Sequence, residues 1–258
     1  MLVAAALCTA SIAHADPHWY EGERGHTRIL HVSLTIGLGI GYVGSELLKG
    51  SIGPSGCRWC DPPGFDGRIR DALVWDNVNA ARTLSNLTGY VGAPALGIGI
   101  TALTALTADD SSWGRVIDDT IPVLETIAVS EMLTQIVKFS VGRQRPFAHY
   151  TTVAPAADDN LSFWSGHSVL AFGAVTASGM VARYRGSRAE PWIWGIGMPL
   201  AAATAYLRIA GDKHYFSDVL VGSGVGVASG LLIPRLLHRS GSLLVTPAAN
   251  GVTLAGQF

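Results

Sequence analysis

The sequence predicts an all-α fold: a bundle of six helices embedded in a membrane, with a short β-hairpin at the C-terminus. Three observations carry this. Charged residues make up 14% of the chain, against about 25% in ordinary soluble domains. Six apolar segments follow one another along the chain. The tail alternates apolar and polar residues around Ala249-Asn250-Gly251, which is hairpin chemistry. One hairpin cannot close a barrel, so the helices must carry the architecture. Net charge is −1, and nothing in that balance points to nucleic acid.

In chain order, residues 1–15 read as the apolar core and Ala-x-Ala end of a secretory signal, with cleavage after Ala15. The stretch before that core has no Lys or Arg, so a plain apolar N-terminus stays open. The six segments are residues 29–48, 86–108, 120–137, 165–182, 192–210 and 219–237. The second has no charge and is long enough to span a bilayer. The third contains Glu125 and Glu131, which must turn inward and read as a packing or polar-network feature. The last two are short and rich in Ala and Gly, which suits close packing between helices in lipid.

Between the segments lie loops. The Gly- and Pro-rich loop 50–67 holds Cys57 and Cys60. Two thiols are too few for a four-ligand zinc site, and no βαβ context supports a redox motif. A local disulfide fits best, with free thiols next, and the loop is placed on the rim of the site. Residues 66–84 read as one surface helix. The pairs Asp109-Asp110, Asp118-Asp119 and Asp158-Asp159 read as solvated turns rather than metal sites.

Three polar clusters carry chemistry. Lys138 and Arg145 are seven residues apart, about two helical turns, before Pro146 ends the helix. Ser165-Gly166-His167 opens an apolar run; Ser165 is an N-cap, and the free N–H groups of a helix start bind anions. Arg208 precedes His214, and Asp218 follows it at helical i,i+4 spacing. Asp218 is expected to accept the Nδ1 proton of His214, leaving Nε2 as a nucleophile. Fixed cations, backbone donors, a braced His and a second His are what phosphoryl transfer through a phosphohistidine requires. Arg143 falls between the signature cations and reads equally as a headgroup contact or a solvated side chain. With six alternating spans, all three clusters fall at one membrane face.

Taken together the clusters resemble the tripartite signature of the type 2 phosphatidic acid phosphatase and vanadium haloperoxidase superfamily, on its phosphatase branch: Lys-x6-Arg-Pro, Pro-Ser-Gly-His and Ser-Arg-x5-His-x3-Asp. Trp164 stands where the family has Pro, and Leu207 where it has Ser. The resemblance implies that His214, His167 and Asp218 are catalytic and that Lys138, Arg145, Ser165, Gly166 and Arg208 bind phosphate. It implies hydrolysis of phosphomonoesters or pyrophosphates, of lipids in a membrane setting, with no metal or other cofactor. A vanadium-dependent haloperoxidase and a soluble periplasmic acid phosphatase are the alternatives.

The chain then divides into the signal at 1–15, a helix and cysteine loop at 16–65, the phosphatase helical domain at 66–240 and a tail at 241–258. The resemblance also implies a site facing outward from the inner membrane, with lipid as partner. A cleaved signal followed by six spans would place that site inside, and this conflict stays open at the level of sequence.

Overall fold

The computed structural model describes residues 25–151 and 156–238 and two strands, 244–248 and 251–255; the expected signal lies outside the described residues. The helices are α1 (Gly25–Ile52), α2 (Gly64–Leu73), α3 (Val78–Asn86), α4 (Ala93–Leu106), α5 (Trp113–Val141), α6 (Pro146–His149), α7 (Gly166–Tyr184), α8 (Glu190–Trp192), α9 (Met198–Ala210) and α10 (Phe216–Leu237). The π-helical stretch Leu87–Gly92 joins α3 to α4, and Ile193–Gly197 joins α8 to α9. The six expected segments are therefore α1, α3 with α4, α5, α7, α8 with α9, and α10. The expected hairpin is also present: β1 (Leu244–Ala248) pairs antiparallel with β2 (Gly251–Ala255), and Ala248 faces Gly251.

α7 is the central rod. Its small side chains, Ala171, Ala174 and Ala177 among them, are fully buried. A helix apolar on all sides must be surrounded by others. α10 lies close against it through a stripe of glycines. A Cβ on Gly222 would come within 2.6 Å of the Ser165 carbonyl oxygen, and one on Gly226 within 2.6 Å of that of Val169. Only a hydrogen fits there, as expected of small residues at a tight helix interface.

Val78–Leu106, Trp113–Val141, Glu190–Ala210 and Phe216–Leu237 are long and apolar enough to cross a membrane. Large apolar side chains cover the outside: Ile36, Ile40 and Leu47 on α1, Leu103 on α4, Leu220 and Leu232 on α10. So broad an apolar exterior suits acyl chains better than water.

Two expectations are corrected. The surface helix over 66–84 is two helices, broken after Leu73, and Asn77 restarts the chain by accepting the Ala80 N–H at 3.0 Å. Asp118-Asp119 is no turn. Ser112 accepts the Arg115 N–H and starts α5 ahead of both acids. Arg28 of α1 pairs with Asp118 at 2.6 Å, and Arg185 pairs with Asp119. Hydropathy ended the segment at these charges, but partners from neighbouring elements let the helix continue. Glu125 and Glu131 are buried, as expected.

Candidate active site

The last turn of α5 presents Lys138. Gly142, at φ 58°, ends the helix in the left-handed conformation that glycine adopts without strain. The chain then passes through Arg143 and reaches Arg145, whose extended backbone feeds Pro146 at the start of α6. Arg145 is held on both sides. Its Nε donates to the Asp158 carbonyl at 2.8 Å, and one terminal nitrogen donates to the Lys213 carbonyl at 3.1 Å.

The third cluster is folded back by a tight turn after α9. The Arg208 carbonyl accepts the N–H groups of both Lys213 and His214, at 3.1 and 3.2 Å. Asp212, at φ 57°, makes the turn and is clamped by Arg70 through two bonds of 2.7 and 2.8 Å. This sets the His214 ring beside Arg145, whose guanidinium donates to Nε2 at 3.2 Å. His214 is 1% exposed.

Lys138, Arg145, Gly166, His167, Arg208 and His214 line one cleft of about 310 Å³. Arg82, Lys213 and Lys49 add positive charge to its wall, and Glu46 and Asp158 add negative charge. Burial, then the charges of Arg145, Arg208 and Lys138, hold the His214 imidazolium well below the usual histidine range. The ring is neutral at pH 7, and Nε2 carries its lone pair, toward Arg145. Burial first, and Arg145 and Arg82 next, bring Lys213 down to about 8. At Asp158 burial acts upward, but Arg145 and Lys49 outweigh it and hold the carboxyl below its ordinary range. The Lys49 ammonium lies 3.0 Å from that carboxylate.

The role expected of Asp218 is corrected. The Nδ1–H of His214 goes to the Ser162 carbonyl oxygen at 2.8 Å, while the nearest Asp218 oxygen lies 3.7 Å away. Asp218 instead accepts from Arg143 at 2.5 Å, the Ser162 hydroxyl at 2.6 Å and the Tyr215 N–H at 2.9 Å. It braces the residue that braces the histidine. Helical spacing brought carboxylate and ring near each other, but the first turn of α10 points the carboxylate at donors that compete for it.

Ser165 also departs from its expected role. It does cap α7, but its buried hydroxyl accepts from the Ser168 N–H and hydroxyl, at 3.4 and 3.0 Å, and does not line the cleft. Gly166 does line it, and a Cβ there would lie 3.1 Å from a Glu131 oxygen and 3.5 Å from the Lys138 ammonium.

Arg143, left undecided by sequence, is 1% exposed and is neither a headgroup contact nor solvated. It joins Asp66 at 2.7 Å to Asp218 and is sandwiched by Trp59 and Tyr215. Cys57 and Cys60 form a disulfide. Their loop does not line the cleft but covers the end of α5, where Arg58 donates to the carbonyls of Phe139 and Ser140 at 3.2 and 2.8 Å.

Sequence reasoning missed three participants. Asn86, at the end of α3, accepts from His167 Nε2 at 2.8 Å and from Arg208 at 3.5 Å, so one amide oxygen orients both. Asp158, read as a solvated turn, is a wall of the cleft. Ser162 acts at His214 through its backbone carbonyl, which no side-chain motif can reveal.

Residues 119–242 match the family model of the PAP2 superfamily. The PAP2 stretch contains all three polar clusters, whereas Asn86 and Asp66 lie before it. Among characterised proteins, the lipid A 1-phosphatase of Porphyromonas gingivalis is 33% identical over 123 residues, 47% of this chain and 24% of that protein. The chain thus spans about a quarter of the length of the curated relative it matches. The crystal structure of a transmembrane PAP2-type phosphatidylglycerolphosphate phosphatase from Bacillus subtilis aligns with a TM-score of 0.42 at 18% identity, over 66% of this chain and 91% of that one. At the two positions that depart from the PAP2 signature, Trp164 donates to Thr134 of α5 at 2.8 Å and Leu207 is packed with Ala81 and Ala210. Neither side chain lines the cleft.

Proposed function

We propose that this PAP2 chain is a membrane-embedded phosphatase that hydrolyses phosphomonoesters or pyrophosphates of lipids through a phosphohistidine, with no metal at the transferring phosphorus. The observation that carries the reading is the state of His214. Its ring is neutral, its proton is held on Nδ1 by Ser162, and Nε2 is directed into a cleft of fixed cations.

In the first step His214 Nε2 attacks phosphorus, and the bond from phosphorus to the leaving oxygen breaks. Lys138, Arg145, Arg208 and the Gly166 amide take the charge on the three equatorial oxygens. An oxyanion between Arg145 and His214 takes the N–H that the guanidinium otherwise donates to the ring. His167, in its protonated form beside the anionic substrate, gives its Nε2 proton to the leaving oxygen. In the second step that nitrogen accepts a proton from water as the water attacks phosphorus. The P–N bond then breaks, phosphate leaves and His214 is restored. Fixed cations supply the charge neutralisation that Mg²⁺ gives other phosphoryl-transfer sites.

The apolar exterior and the lipid A 1-phosphatase relative support a lipid phosphate as substrate and a membrane setting, and the cleft is proposed to open on the periplasmic side of the inner membrane. His214→Ala tests the chemistry. It is expected to abolish phosphate release from lipid A phosphates, phosphatidic acid, phosphatidylglycerol phosphate and undecaprenyl pyrophosphate while inorganic phosphate still binds. Retained turnover would end the assignment. Vanadate is expected to inhibit the wild type and to support no halide oxidation; peroxidase activity would move the chain to the haloperoxidase branch.

A further inference from the structure

A second polar cluster lies away from the cleft, on the same long helix. Glu125 is thirteen residues before Lys138, about 20 Å along the axis of α5. Its carboxylate is met by His31 of α1, with Nδ1 at 2.9 Å from one oxygen and 3.2 Å from the other, and by His238 at the end of α10, with Nε2 at 2.5 Å. All three residues are buried, Glu125 completely. The two imidazole rings lie 4.3 Å apart. The three donor atoms lie within 4.8 Å of one another.

We propose that His31, Glu125 and His238 bind one divalent transition-metal ion of the Zn²⁺ kind, which ties α1 and the end of α10 to α5. Two imidazoles and one carboxylate are the donor set such an ion takes, whereas Mg²⁺ and Ca²⁺ call for oxygen donors. Each ligand comes from a different part of the chain, so the ion is a cross-link that sequence proximity cannot supply. Donors around a tetrahedral ion at 2.0–2.1 Å lie about 3.3 Å apart. The present contacts of 2.5 and 2.9 Å therefore need to open by less than about 1 Å, and the two ring nitrogens, within 4.8 Å of each other, need to close by at most about 1.5 Å. On binding, any proton on His31 Nδ1 or His238 Nε2 moves to the other ring nitrogen or to solvent, since a ligating nitrogen must be unprotonated. The fourth position is left to water. The ion takes no part in phosphoryl transfer.

The test uses the full chain, purified in detergent, stripped with a chelator, dialysed and titrated with Zn²⁺ and then Co²⁺. One ion per chain is expected. Co²⁺ should give the visible bands of a four- or five-coordinate site, and X-ray absorption should fit two imidazoles and one carboxylate. Glu125→Gln keeps the shape of the side chain, and it should lower the affinity by more than about 100-fold. Circular dichroism of that variant should still show the helical fold. The proposal is overturned if the wild type retains no ion, if its Co²⁺ spectrum is that of six oxygen ligands, or if Glu125→Gln takes up metal as well as the wild type. Should Glu125→Gln not fold, the wild-type stoichiometry and spectrum decide alone.

Discussion

Replacing Asp218 with Asn separates a carboxylate that acts on His214 directly from one that acts through Ser162. Three donors converge on Asp218, from Arg143, Ser162 and Tyr215. An amide fits this site badly, because its NH₂ must face one of them. Arg143 loses half of its neutralisation and keeps only Asp66. Breaking a buried pair typically costs 3–5 kcal/mol, and the surviving partner puts the expected loss of stability near the lower figure, about 3 kcal/mol.

The catalytic effect can be bounded from the same distances. A full charge 3.7 Å from the ring nitrogen would stabilise positive charge there by about 4.5 kcal/mol at an effective dielectric constant of about 20. Arg143, at 2.5 Å from the same carboxylate, cancels more than half of that. What remains is about 1.5–2 kcal/mol, or roughly 10–30-fold in kcat. KM should change little, since the phosphate-binding cations stay in place. The assay is phosphate release with a lipid substrate in mixed micelles, run beside a thermal melt. Ser162→Ala serves as control: it keeps the carbonyl that holds Nδ1 and removes only the hydroxyl that Asp218 accepts. A fall in kcat of about 10⁴-fold or more with an unchanged melting temperature would refute the reasoning. It would mean that Asp218 itself takes the Nδ1 proton.

The other predictions concern pH, the second histidine and packing. Because the His214 pKa is lowered on folding, the unfolded chain binds that proton more readily. His214 therefore favours folding fully above the ordinary histidine range and progressively less as pH falls below it. Once the substrate's own second phosphate ionisation, at about 6, is divided out, His214 should accordingly add no acid limb to kcat/KM at about pH 6.5, and a residual limb centred there would contradict a neutral His214. Above about 8 Lys213 discharges, so KM should rise on that side with kcat less affected; a pH–rate series reads both. Asn86→Ala removes the acceptor shared by His167 and Arg208, about 1–1.5 kcal/mol, and should lower kcat roughly 10-fold. A full rate would show that Asn86 orients neither group. Gly222→Ala drives a Cβ into the Ser165 carbonyl at 2.6 Å and should destabilise by about 1–3 kcal/mol. It should also lower activity, because Ser165 precedes the Gly166 amide. Gly224→Ala has nothing within 4 Å of its Cβ and should leave both unchanged.

Composition, apolar segmentation and the spacing of polar clusters determined the helical class, the six helical rods and the meeting of Lys138, Arg145, His167, Arg208 and His214 at one end. These are local properties. Each rod is recorded in a continuous run of residues, and strict alternation of direction along the chain decides which ends share a face. The C-terminal hairpin was legible for the same reason, through its turn residues. Only the tertiary structure decided which atom holds the His214 proton, where Asn86 and Asp158 stand, and that Arg143 is a buried strut between Asp66 and Asp218. A backbone carbonyl carries no side-chain signature. A charged residue reads as solvated until its counter-ion arrives from a distant element, as with Asp118 and Arg28, ninety positions apart. Hydrogen-bond competition in three dimensions therefore assigned the fine roles at the site.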